Sequence, residues 1–212
     1  LDKLNQSFIK IDTAWKKRSL AKKNNHQEFL LAEKTIDLLN KELLNYKKGD
    51  SLEFFKGYII GDGPNSISSE GQATNTQKNL LTFFEDDITK DKIKELIILK
   101  QNSSIIKYQK INKINSIGLL DYLLKYKFSN GKRPILYVHR ILIMMYTEIF
   151  TTITDSKALE ETLKELDIKN VKSFANKQAQ IREKINDYLH ITGKKGKESE
   201  FFECSLAWWL LN

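Results

Sequence analysis

Apolar residues recur along this chain at alternating spacings of three and four. Leu1, Leu4, Phe8, Ile11 and Trp15 trace one line, and Phe29, Ala32, Ile36, Leu39, Leu43 and Tyr46 trace a second. That rhythm fits the 3.6-residue turn of an α-helix and not the two-residue alternation of a half-buried strand. The polar break at 22–27 joins the two lines either as an αα-hairpin or as one longer helix with a kink. Lys47, Lys48 and Gly49 then supply the cations and the glycine that suit a helix C-terminus.

Beyond this pair the pattern changes. Apolar residues cluster again over 51–58, and a polar stretch rich in Gly, Ser, Asn, Thr and Gln runs from 61 to 79. A loop that long is usually either functional or disordered. A short helix is expected at 79–84. Segment 95–111 reads as a β-hairpin, because two apolar, β-branched runs flank a polar Asn-Ser-Ser turn. Helices follow at 117–127, 134–153, 157–167, 171–191 and 199–211. Segment 134–153 is the most apolar. It holds His139, Arg140 and Glu148, and each charge at a bilayer centre costs at least ~2.5 kcal/mol. A helix at the centre of a core is the better reading. The expected fold is therefore mainly α, a multi-helix domain around 134–153 with a small β-hairpin at 95–111. The N-terminal hairpin 1–48 either stands apart from a main helical domain 49–212 or belongs to one domain with it.

Composition narrows the class. The chain has 212 residues with 41% apolar residues, enough for a substantial core and against global disorder. Cys204 is its only cysteine, so a disulfide scaffold is excluded. The N-terminus lacks the apolar stretch and small-residue cleavage site of a signal peptide, so an intracellular location and no membrane partner are expected. The formal charge is +8, from 35 Lys and Arg against 27 Asp and Glu. Such an excess draws in polyanions without giving specificity. A lysine-, asparagine- and isoleucine-rich coding bias yields the same charge.

Candidate chemistry is sparse. His26, His139 and His190 share no i, i+4 pairing, and one cysteine cannot form a CxxC, so no metal or cofactor site is expected. No GxSxG marks a nucleophile. Gly61, Gly63 and Gly71 lack the spacing of a phosphate-binding loop. A metal-dependent nuclease can be sketched from Asp62 or Asp91 with Glu95 and Lys100 on a strand, but five-residue spacing puts Glu95 and Lys100 on opposite faces. Enzyme activity is thus not expected.

Nucleic-acid binding has two supports beside charge. Residues 159–185 read as a helix, a three- or four-residue turn at 167–170, and a longer helix, the layout of a helix-turn-helix. Its second helix would present Lys172, Asn176, Lys177, Gln180 and Arg182, types that reach phosphates and base edges. Basic clusters add Lys16, Lys17, Arg18, Lys194 and Lys195, alongside pairs at 22–23, 47–48 and 132–133. The leading expectation is a non-catalytic module that binds DNA or RNA. The alternative is a helical scaffold or subunit whose terminal apolar helices, with Trp208 and Trp209, meet a protein partner. A nuclease comes third.

Overall fold

The computed structural model describes residues 2–60, 82, 84–127, 131 and 135–212. The expected polar loop 61–79, Asp62, Lys132 and Arg133 lie outside them. Among the described residues the secondary structure is helical, with no strand. The helices are α1 (Asp2–Asn24), α2 (His26–Asn45), α3 (Glu53–Ile60), α4 (Asp87–Gln101), α5 (Lys107–Ile117), α6 (Leu119–Lys125), α7 (Ile135–Met145), α8 (Ser156–Glu165), α9 (Phe174–Ile191) and α10 (Glu200–Trp209). They form two compact units. Unit 1 comprises 1–34 and 146–212; unit 2 comprises 35–145 and is inserted in sequence between the two parts of unit 1. That partition differs from a break at 48/49.

The first two helices are separated by Asn25 alone. Asn25 N bonds Ala21 O at 2.9 Å and Phe29 N bonds Asn25 O at 3.3 Å, so this one residue closes the last turn of α1 and opens the first of α2. In unit 1, α1 buries Ser7, Ile11, Ala14 and Arg18, spaced four, three and four. It packs on α10, whose residues from Phe201 to Ala207 are all buried. α9 packs on the same helix, burying Gln178, Arg182, Ile185 and Leu189 at four, three and four. Trp15 meets Phe202 edge-on at 4.8 Å between centroids, and Phe8 meets Tyr188 at 5.7 Å. The core of this unit thus gathers on α10, with Ile11, Leu159, Leu163, Ile181 and Phe202 among its members.

The apolar run expected as one helix over 134–153 divides. α7 ends at Met145; Ile149 N and Phe150 N both bond Tyr146 O, and Thr151–Thr154 are buried but not helical. The β-branched run Thr151-Thr152-Ile153-Thr154 loses side-chain freedom in a helix. Here its backbone finds other partners: Thr151 N donates to Gln178 Oε1 at 2.9 Å. Gln178 Nε2 donates to Ile153 O at 2.6 Å, and Thr152 N donates to Cys204 O at 3.2 Å.

In unit 2 the expected β-hairpin at 95–111 is corrected to the end of α4, a short turn and the start of α5. Asp86 decides the matter locally: its carboxylate accepts from Thr89 N at 2.8 Å and caps α4, the role short polar residues fill at helix starts. Ile93, Leu96 and Ile97 are then buried at helical spacing. Unit 2 also closes its helix C-termini with long side chains. Gln101 Nε2 reaches Leu43 O and Tyr46 O at 2.8 and 2.7 Å after α2, Lys92 Nζ reaches Ile117 O at 2.6 Å, and Lys110 Nζ reaches Lys100 O at 3.3 Å. Each bonds a carbonyl at or just past a helix C-terminus, where the helix's own N–H groups run out.

Candidate nucleic-acid interface

The ten residues singled out by sequence all fall in unit 1, and the structure spends most of them internally. Arg182 is 0% exposed, so it does not face outward as the helix-turn-helix reading required. Its Nε donates to Thr147 O at 3.3 Å, Nη1 to Asn186 at 2.7 Å, and Nη2 to Glu203 at 3.1 Å and to Glu200. Lys195 pairs with the same Glu203, which also accepts from Gly196 N at 2.9 Å. These partners hold the buried Glu203 carboxyl below its ordinary value against the upward pull of desolvation. Lys194 donates to Asp12 at 2.6 Å and also to Tyr188. Asp12 takes Lys16 as well, at 2.7 Å. Hydrogen bonds from Lys16 first, then Lys194 and Tyr188, hold the Asp12 carboxyl far below the usual range. Lys177 pairs with Glu160.

Arg18 is the second correction, being also 0% exposed. It lies between aromatic rings, with its guanidinium carbon 3.8 Å from the Phe29 centroid and 4.8 Å from that of Phe202. Nε donates to Ser205 Oγ at 2.7 Å. Nη1 and Nη2 are buried and meet no hydrogen-bond acceptor of the described residues. Burial pushes its guanidinium down to about 10.

Lys16, Lys17, Lys172 and Gln180 remain exposed, and Asn176 is half-buried with its backbone N–H on the Ser173 hydroxyl. The expected short turn is longer than three or four residues, since α9 starts only at Phe174. The exposed line of α9 reads Gln180, Glu183, Asp187 and His190. Glu183 and Asp187 on that face oppose a phosphate backbone.

The residues that sequence reasoning passed over lie in unit 2. That unit holds 17 Lys and Arg against 12 Asp and Glu, where unit 1 holds 18 against 15. Its cations are also segregated: no Asp or Glu occurs between Glu95 and Asp121. Once 107–117 is helical, Lys107, Lys110 and Lys113 follow one another at three-residue spacing. Ile111 and Ile114 face the core, which turns Tyr108, Gln109, Asn112, Lys113 and Ser116 to solvent. Tyr108 is 69% exposed and Ile106, just before the helix, 63%. The helix is terminated by Gly118, whose φ of 68° puts it in the left-handed conformation glycine adopts without strain. The acid-free run was the available signal. It had been divided between the arms of a hairpin.

The other candidates gain nothing. Glu95 and Lys100 lie on α4, so the strand on which a nuclease centre was sketched is absent. Among the described residues no cluster of three or more His, Cys, Asp or Glu is placed to hold a metal, and no helix is long and apolar enough to cross a membrane. Compared with known proteins, the chain matches no family model, no curated protein and no solved structure.

Proposed function

We propose that the chain is a non-catalytic, helical nucleic-acid-binding module, with the outward face of α5 as its principal contact surface. The carrying observation is the exposure of Lys113, Gln109, Asn112 and Tyr108 on a helix with no carboxylate in or beside it in sequence from 96 to 120. Lysine neutralises phosphate, amides bond base edges, and an aromatic ring offers a stacking surface. Lys16, Lys17 and Lys172 are the exposed lysines of the original set on unit 1, Lys16 from a surface pair with Asp12. Binding of labelled DNA and RNA across a salt series tests this reading. The expected result is binding at low salt that weakens linearly in log–log form, with a slope of roughly 0.7–0.9 per phosphate neutralised. Absence of binding at low salt removes it.

A second reading, a scaffold that docks a protein partner, draws on Trp208, Trp209, Leu210 and Leu211, which stay half-exposed where α10 ends. A fluorescence change of the tryptophans on partner addition would favour it.

A further inference from the structure

We infer that the α5 face selects unpaired nucleotides over duplex, with Tyr108 as the stacking platform; this rests on the nucleic-acid reading above. Tyr108 stands in the first turn of an 11-residue helix, 69% exposed, with the equally exposed Ile106 just before it in sequence. A ring presented to solvent in this way meets the π-face of a base. In a duplex those faces are already covered by neighbouring bases, and only the edges are open. In a single strand they are accessible, and aromatic stacking is the usual means of holding them.

The charge supply points the same way. Non-specific duplex binding depends on neutralising many phosphates at once, commonly 6–10. α5 spans only about 16 Å at 1.5 Å per residue, and its lysines are not all available. Lys110 donates to the carbonyl that ends α4, and Lys107 and Lys110 are half-buried. Lys113 alone of the three is exposed. A surface with one well-exposed cation beside a ring and two exposed amides, Gln109 and Asn112, fits a few splayed nucleotides better than a continuous double backbone.

The test uses the full chain, a fluorescein-labelled ten-nucleotide oligo(dT), and a hairpin duplex, with anisotropy read over a salt series. Wild type is expected to bind the single strand at least tenfold more tightly than the duplex. Tyr108→Ala should weaken single-strand binding by roughly 5- to 160-fold, the range for loss of one stacked base. Tyr108→Phe should keep it. Lys113→Ala should flatten the salt slope by about 0.7. Equal affinity for duplex and single strand, or an unchanged affinity in Tyr108→Ala, overturns the inference while leaving nucleic-acid binding in place. Failure of both oligonucleotides to bind wild type at low salt overturns both. Because Tyr108 is exposed, far-UV circular dichroism of the alanine variant should match wild type.

Discussion

Two arginines are wholly buried in unit 1, and they are buried in opposite ways. Arg182 gives its hydrogen bonds to a carbonyl, an amide and two carboxylates, and Lys195 shares the carboxylate of Glu203. Arg18 has one hydroxyl on Nε and aromatic rings over its plane, with both Nη groups meeting no acceptor among the described residues. A buried charge is costly unless paired and hydrogen-bonded. Arg182 is thus the keystone of a polar network. Arg18 is held by packing and by cation–π attraction, which reaches about 2 kcal/mol or more when desolvated. Burial alone does not tell which charge a fold depends on; the partners do.

Three measurements break or sharpen this contrast, all read by tryptophan fluorescence in urea. Trp15, Trp208 and Trp209 are the only tryptophans and all lie in unit 1, so the signal reports that unit. Arg182→Met should have the largest effect, about 3–5 kcal/mol, because it removes every bond of the buried guanidinium at once and leaves Glu203 with Lys195 and Gly196 N alone. Glu203→Gln should cost about 1.5–3 kcal/mol, the worth of hydrogen bonds to a charged group. Arg18→Met should change stability by less than about 1 kcal/mol in either direction. Loss of the cation–π contact and the Ser205 bond is set against relief of unpaired buried donors. Equal large losses at Arg18 and Arg182 would erase the distinction drawn here.

Acid provides a finer probe of the same network. Glu203 and Asp12 both titrate below their ordinary values in the folded chain, Glu203 through Lys195, Gly196 and Arg182, and Asp12 through Lys16, Lys194 and Tyr188. A lowered folded value means the unfolded chain takes up the proton first. Their stabilisation is therefore complete above the ordinary carboxylate values, 4.5 for Glu and 3.8 for Asp, and drains away as the pH falls below them. Urea midpoints measured from pH 7 down to pH 3 should decline in wild type. The decline should be shallower in Glu203→Gln, since Asp12 alone of the two then remains to titrate.

Much of the helical frame was legible in spacing. Ile36, Leu39, Leu43 and Tyr46 are all buried as their three-four rhythm requires, and Ile181 and Ile185 likewise. What failed was the assumption that a charge marks the wet side. Arg18 lies four residues beyond Ala14 and seven beyond Ile11, and Arg182 lies four beyond Gln178 and three before Ile185. Each continues a buried line, so the same periodicity that located the core also contained them. Segment 95–111 failed differently. Its β-branched residues favour a strand locally, but β propensity is weak beside tertiary packing, and the cap at Asp86 starts a helix that carries through Ile93, Leu96 and Ile97. That error also divided the lysines that α5 brings onto successive turns.

Cys204 carries a practical consequence. It is the chain's single thiol, 0% exposed at the heart of unit 1, with burial pushing it up to about 12. Only the thiolate is nucleophilic, so an intact unit 1 shields this sulfur twice, by access and by ionisation. Alkylation of the untouched protein in plain buffer then becomes a clock. Each modification event records one opening of unit 1, whereas unit 2, lacking any thiol, contributes no background. Where reclosing outruns alkylation, the rate of that clock measures the open population of the inserted unit's host under native conditions, with no denaturant and no engineered reporter.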